Sequence, residues 1–138
     1  MENKLKIQSI KKPFRNLQLD LDFDEHIMFL TGDSGTGKSF LYTALYNLRD
    51  VYRIRSYNAH DYKDRDNIKR TIETEKGVLF VFDNADSLLT PELRKTIRED
   101  TQNQFLIIGR NTDDLFLRRN CLVDLEISQN KVRLIHTW

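Results

Sequence analysis

The residues with the clearest chemical signal are eight consecutive positions, Gly32-Asp33-Ser34-Gly35-Thr36-Gly37-Lys38-Ser39. They match the pattern G-x-x-x-x-G-K-[ST] at every fixed position. Such a segment can surround a polyphosphate with backbone N–H groups, because glycine has no Cβ to block the approach and tolerates positive φ. An ordinary strand-to-helix turn needs one glycine, whereas three occur here within six residues. The segment therefore predicts a polyphosphate-binding loop.

The end of this loop supplies two side chains with distinct chemistry. Lys38 would bring a positive charge to the β- and γ-phosphates of a nucleotide, and the Ser39 hydroxyl would be a ligand of Mg²⁺. A helix that begins here would add free N–H groups and the positive end of its dipole. The whole segment and the next residue, Phe40, are therefore candidates for nucleotide binding.

A magnesium nucleotide site also needs a carboxylate, and Asp83 directly follows the apolar run 78–82. This position predicts a second Mg²⁺ ligand, although a solvated strand end has the same pattern. Hydrolysis usually uses a carboxylate just after the metal-binding aspartate. That position is Asn84, which cannot act as a base at neutral pH. Asp86 either substitutes for it or only caps the next helix, so Asp83, Asn84 and Asp86 are the acidic-side candidates.

The hydrophobic pattern predicts the elements that position these residues. Apolar or alternating runs predict strands, and apolar residues at helical spacing predict helices. The predicted strands cover 17–24, 26–31, 51–57, 78–82, 104–108, 121–127 and 131–136, and the predicted helices cover 39–49, 61–76, 90–100 and 112–118. This alternation predicts an α/β fold with a mostly parallel sheet covered on both faces.

The two chain ends are expected to be antiparallel. Residues 5–24 predict a hairpin, with Lys11-Lys12-Pro13 interrupting its first part, and 131–136 predicts a final edge strand. The core covers 26–127. We find no internal repeat and no linker, so the sequence predicts one domain over residues 1–138.

Composition excludes several other classes of protein. Apolar residues make up 39% and charged residues 31%, with 5 Gly and 2 Pro, which excludes a disordered or collagen-like chain. The net charge of +1 and the basic residues scattered among acids disfavour a nucleic-acid partner. No apolar run approaches the roughly 20 residues of a membrane span. Cys121 is the only cysteine, so we expect no disulfide within the chain. We expect a cytoplasmic location.

With its loop, its acidic strand end and an extra strand between them, the chain resembles the additional-strand branch of P-loop NTPases. This branch includes the AAA+, STAND, RecA and ABC families. The resemblance covers roughly 26–127 and implies a three-layer fold with core strands in the order 5-1-4-3-2. It makes 32–39 a Walker A motif and Asp83 a Walker B aspartate.

The resemblance also implies two further groups of site residues. In AAA+ proteins the strand at 104–108 ends in a polar sensor of the γ-phosphate, which Asn111 or Thr112 would match, with Arg110 as the other candidate and a plain polar turn as the alternative. An arginine finger would match Arg118 or Arg119, acting in trans on a neighbour's nucleotide. The alternative is two solvated arginines at a helix end.

Departures from the family limit what the resemblance implies. AAA+ proteins usually have a helical lid after the last core strand, whereas about ten residues follow Ile127 here. The hairpin looks like the antiparallel strands of ABC-type ATPases, but an LSGGQ-like signature is absent. We therefore expect an ATP- and Mg²⁺-binding ATPase core without a lid.

The implied function is slow or partner-dependent ATP hydrolysis by a nucleotide-dependent switch or assembly subunit, with a protein partner or a homo-oligomer. The alternative is a catalytically impaired nucleotide-binding module for protein interaction, which the asparagine at position 84 favours. A small-molecule kinase and a loader of the DNA-replication type are further alternatives, and neither has a specific signal in this sequence.

Overall fold

The chain folds around one eight-stranded sheet. The computed structural model describes residues 5–31 and 37–137. Its strands are β1 (Ser9–Phe14), β2 (Leu17–Asp22), β3 (Ile27–Leu30), β4 (Ile54–Tyr57), β5 (Leu79–Phe82), β6 (Gln104–Ile108), β7 (Leu122–Ser128) and β8 (Lys131–His136). Its α-helices are α1 (Lys38–Asn47), α2 (Arg65–Thr74), α3 (Ala85–Leu88) and α4 (Pro91–Glu99), with short 3₁₀ helices at Ala59–Asp64 and Arg119–Cys121.

The strands lie in the order β1-β2-β8-β7-β3-β6-β5-β4. Every neighbouring pair from β7 to β4 is parallel. When the five predicted core strands are numbered along the chain, β7, β3, β6, β5 and β4 correspond to strands 5, 1, 4, 3 and 2. The complete order differs from the predicted one, because β8 and the hairpin continue the same sheet beyond β7. The chain is thus a mixed α/β protein with its parallel strands in one half of the sheet.

The prediction that 131–136 is an edge strand is wrong. β8 pairs antiparallel with β7 and parallel with β2, where Leu19 lies beside Val132. Both of these side chains are fully buried. Joining the hairpin to β8 therefore buries apolar surface that an edge position would leave in water.

The expected interruption at Lys11-Lys12-Pro13 is also wrong, because β1 runs through these residues and Pro13 lies opposite Gln18. β1 is the edge strand of the sheet. Proline is tolerated on an edge strand, where its missing N–H group can face outward without removing a bond to the neighbouring strand.

The predicted helix at 112–118 is absent, since these residues form turns and irregular structure. Asp114 and Phe116 have φ values of 65° and 52°, which a right-handed helix does not allow. Side chains of α4 instead bind the carbonyl groups of this segment. Contacts distant in sequence thus replace the local helical bonds that the pattern predicts.

Two apolar clusters cover the two faces of the sheet. Leu30, Val81 and Leu106 pack with residues of α1 on one face. Phe80 and Phe105 alternate with them and pack with α2, α3 and α4 on the other. This alternation of side chains makes three layers, with the sheet between helices. Among the described residues, no helix is long and apolar enough to cross a membrane.

Candidate functional site

A cleft of about 400 Å³ lies at the carboxyl ends of the parallel strands. It is lined by Gly37, Lys38, Ser39, Asp83, Asn84, Asp86, Ser87, Ile108, Gly109 and Arg110. The structure thus brings the end of the glycine-rich loop to the acidic end of β5 and to the residues after β6. Gly32, Asp33, Ser34, Gly35 and Thr36 lie outside the described residues.

Gly37 begins α1 and meets two structural requirements. Its φ of 93° lies in the left-handed region that favours glycine. A Cβ there would lie 2.7 Å from Ile127 Cδ1 and 3.2 Å from Leu125 Cδ2, so β7 approaches this backbone closely. Lys38 and Ser39 then occupy the first two helical positions. Gly37 therefore allows both the left-handed backbone at the start of α1 and the close approach of β7.

The turn after β5 explains why position 84 suits an asparagine. Asn84 has φ 50° and ψ 47° and begins α3. Asparagine is among the few non-glycine residues enriched in this left-handed conformation. Its N–H donates to Asp83 Oδ1 at 2.9 Å, while the N–H of Asp83 donates to the Tyr57 carbonyl at 2.9 Å. The turn thus holds the Asp83 carboxylate beside the cleft.

Tyr42 of α1 lies close enough to Asp83 for the charge of that carboxylate to affect its pKa. Burial, and then the negative charges of Asp61 and Asp83, raise the pKa of its phenol above the usual value. The Asn58 side chain forms a hydrogen bond that lowers this pKa by a smaller amount. Burial is the largest cause of this rise in pKa, and the two carboxylates add to it.

Asp86 binds the backbone that follows β6. Its Oδ1 accepts the N–H of Arg110 at 3.1 Å and of Asn111 at 2.9 Å, and its Oδ2 accepts the Arg110 N–H at 3.1 Å. The sequence offered two roles for Asp86, a catalytic carboxylate or a cap of the next helix. The cap role is wrong, because Thr90 caps α4 and the Asp86 carboxylate binds the backbone at a different strand end. The role of a catalytic carboxylate stays a prediction.

The candidates after β6 have different surroundings. Arg110 lines the cleft, whereas Asn111 is exposed and is absent from the described residues that line it. The Asn111 side chain accepts the N–H of Asp113 at 2.8 Å. Thr112 is half-buried in the same turn. In this arrangement Arg110 has the most direct access to a ligand in the cleft.

Arg118 and Arg119 lie away from the cleft. They precede β7, in which Leu122 lies beside Phe29 of β3, so they are near the amino end of β3. Arg118 Nη2 contacts both carboxylate oxygens of Glu25 at 3.1 Å, and its side chain is 74% exposed. Neither arginine lines the cleft of its own chain among the described residues.

Phe40 packs against the N-terminal hairpin. Its ring meets Phe14 edge-on with centroids 5.4 Å apart, and the Arg15 guanidinium lies 5.9 Å from the Phe40 centroid. The Phe40 side chain is therefore part of the junction between α1 and the hairpin. Its proposed contact with nucleotide stays a prediction.

Sequence reasoning missed Arg94, which it grouped with the scattered surface charges. Arg94 is 3% exposed and donates to the carbonyls of Leu89 at 3.2 Å, Asn111 at 2.6 Å and Asp113 at 3.0 Å. A signal was present, because position 94 lies three residues before Ile97 and so shares the buried face of α4.

Comparison with known proteins assigns no family. No family model matches the chain, and no curated protein matches it. One solved structure with a similar fold is the Holliday junction branch migration motor RuvB of Thermotoga maritima, at 19% identity and a TM-score of 0.48. The match covers 75% of this chain and 39% of that chain, so this chain spans less than half the length of the protein that it matches. At this identity and TM-score, the similarity assigns no activity.

Proposed function

We propose that the chain binds Mg-ATP in the cleft at the carboxyl ends of β3, β5 and β6, and hydrolyses it slowly. One observation carries the proposal. Lys38 and Ser39, the last two residues of a complete phosphate-loop motif, line the same cleft as Asp83. In the sequence, 44 residues lie between Lys38 and Asp83. A motif match without this juxtaposition would support only a turn.

The groups at the cleft suit a magnesium nucleotide. Mg²⁺ prefers oxygen ligands, and the Ser39 hydroxyl and Asp83 carboxylate supply two. Water and phosphate oxygens would complete its coordination. Bound Mg²⁺ would neutralise phosphate charge, while Lys38 would bind the phosphates directly.

The residue after Asp83 supports slow turnover. Asn84 lines the cleft but offers no carboxylate to activate water. Asp86, the nearest alternative in sequence, already accepts backbone N–H groups. Bound ATP would therefore persist, which suits a switch or an assembly subunit whose partner completes the site. Arg118 or Arg119 of a second copy is one candidate for that completion.

Fluorescent ATP titrated with Mg²⁺ tests nucleotide binding. We expect Lys38→Ala to weaken binding by at least about tenfold, because it removes a charge-assisted contact with the phosphates. The matched control is Lys95→Ala, which removes an exposed lysine of α4 and should leave affinity unchanged. Equal affinity of the wild type and Lys38→Ala would contradict the proposal.

A second function has an observation of its own. Asn84 adopts a backbone conformation that favours asparagine over glutamate. A chain in which this turn serves the fold, and not catalysis, would hold nucleotide without turnover and act as a protein-interaction module. Binding with no measurable hydrolysis, even after a carboxylate is supplied at position 84, would favour this second function.

A further inference from the structure

We propose that Asp86 is a positioning residue, which holds the backbone after β6 so that Arg110 brings a second cation to the cleft. This inference rests on the proposed function for its ligand, the phosphates of a nucleotide. It assigns Asp86 a role other than that of a water-activating base. It also makes the α3 turn and the segment after β6 one unit.

The contacts of the Asp86 carboxylate are the first support. Both of its oxygens lie 3.1 Å from the Arg110 nitrogen, and Oδ1 lies 2.9 Å from the Asn111 nitrogen. A carboxylate that accepts backbone N–H groups forms charge-assisted bonds, which are stronger than neutral ones. Two adjacent amides of an exposed segment therefore take their position from one side chain 24 residues away in sequence.

Gly109 shows how closely α3 packs against this segment. A Cβ at position 109 would lie 2.9 Å from Asp86 Oδ1 and 3.2 Å from the Ala85 Cβ. A contact under 3.0 Å would force the carboxylate away from the backbone that it binds. The glycine is thus needed for close approach, while its own φ needs no special conformation.

Arg94 holds the same segment from its carbonyl side. Its guanidinium binds the carbonyls of Asn111 and Asp113, and its Nη2 lies 4.0 Å from Asp86 Oδ1. The segment therefore has a carboxylate on its N–H groups and a buried guanidinium on its C=O groups. Held on both sides, it has little freedom to carry Arg110 away from the cleft.

The negative charge of a nucleotide would be met by cationic side chains at the cleft. A triphosphate carries several negative charges, and Lys38 is one cation that lines the cleft. Arg110 is another, and its fork of N–H donors suits phosphate oxygens. Because preorganised donors lose less freedom on binding, fixing the Arg110 backbone increases the contribution of its side chain to affinity.

The experiment is a double-mutant cycle of Asp86→Ala and Arg110→Ala, with fluorescent ATP and Mg²⁺ as the probe. Each single variant should weaken binding about tenfold. The double variant should be no weaker than Arg110→Ala alone, because Asp86 acts through Arg110. Losses that multiply would overturn the inference, since they would mean independent roles. Thermal unfolding of each variant confirms that it is folded.

A second measurement needs no nucleotide. Amide hydrogen exchange at Arg110 and Asn111 should become faster in Asp86→Ala and stay unchanged in Arg110→Ala, because only the first removes the acceptor. Unchanged exchange in Asp86→Ala would overturn the inference, even if nucleotide binds. If the wild type binds no ATP, the proposed function and the role of Arg110 both fail, and exchange still decides whether Asp86 holds the segment.

Asp86→Asn distinguishes positioning from base catalysis. The amide keeps one oxygen acceptor but presents an NH₂ group that repels a backbone N–H, so we expect weaker ATP binding and partial loss of amide protection. Unchanged affinity together with abolished hydrolysis would identify Asp86 as a base and overturn the inference. Asp86→Glu, which restores a carboxylate at a different reach, should recover protection in part.

Discussion

The two ends of the parallel sheet use arginine in opposite ways. At the carboxyl end, Arg94 is 3% exposed and its guanidinium binds three backbone carbonyls. At the amino end, the Arg118 side chain is 74% exposed and pairs with the Glu25 carboxylate. The buried arginine fixes backbone, whereas the exposed one can change partners at small cost. The backbone after β6 is thus held by a buried arginine at the carboxyl end, whereas the arginine at the amino end is exposed to solvent.

The segment between Gly109 and Arg119 joins these two ends. Its first residues are bound by Asp86 and Arg94, and its later part includes Phe116, which is 77% exposed and lies 4.4 Å from the Arg98 guanidinium. Buried and exposed positions alternate along the segment, since Leu115 between them is buried. Losing the buried contacts of Arg94 should therefore have a large effect on stability, whereas losing the exposed ion pair of Arg118 should have a small one.

The largest expected effect comes from Arg94→Met. It leaves three carbonyls without their donor and removes a buried charge beside Asp86, so we expect the free energy of unfolding to fall by about 2–4 kcal/mol. The matched control is Arg98→Met, on the same helix, which removes a 2.7 Å bond to the Asp114 carbonyl and should cost about 1 kcal/mol or less. Urea denaturation measures both. Equal losses in the free energy of unfolding would contradict the expected difference between Arg94 and Arg98.

A second effect tests the proposed ATP hydrolysis through the residue after Asp83. Asn84→Glu places a carboxylate after Asp83, and we expect ATP turnover to rise on the order of 10²-fold, as for a gained general base. Because the backbone at this position is left-handed, glutamate there should lower the free energy of unfolding by about 1 kcal/mol. Asn84→Gln is the control, since it has the same length without the charge. A steady-state phosphate-release assay measures turnover; no gain over the Gln variant would support the interaction-module function.

The smallest effect is expected at the amino end. Arg118→Ala and Glu25→Gln remove the same exposed ion pair, so each should change the free energy of unfolding by less than about 1 kcal/mol. Neither should alter ATP affinity of the monomer. If Arg118 acts on a neighbour's nucleotide, only Arg118→Ala should lower turnover at high protein concentration. A loss of ATP affinity in a dilute sample of Arg118→Ala would mean that the two ends of the parallel sheet are energetically coupled.

Sequence patterns predicted best those elements whose signals are local. The buried strands at 78–82 and 104–108 appear as β5 and β6, because continuous apolar runs are buried on both faces. The predicted helix at 90–100 appears as α4, which Thr90, a residue type favoured at helix N-caps, begins by accepting the Leu93 N–H at 3.1 Å. In each case the residues that decide the structure lie within a few positions of one another.

Patterns failed where contacts distant in sequence decide the conformation. The segment at 112–118 has helical spacing, but Arg94 and Arg98 bind its carbonyls and the helix does not form. Of the two roles that the sequence offers for Asp86, the helix cap is wrong, because its carboxylate accepts the N–H groups of Arg110 and Asn111 and Thr90 caps α4. The placement of β8 between β2 and β7 required knowledge of which apolar faces meet.

By itself, the sequence determined the glycine-rich motif at 32–39, the acidic end of β5 and the mixed α/β class, because each depends on residue type and short spacing. Only the tertiary structure decided that Lys38, Ser39 and Asp83 line one cleft and that Arg110 joins them. It also decided that Asp86 and Arg94 hold the backbone there. The physical reason is that these bonds join strand ends far apart in the chain, and only the packed sheet brings those ends together.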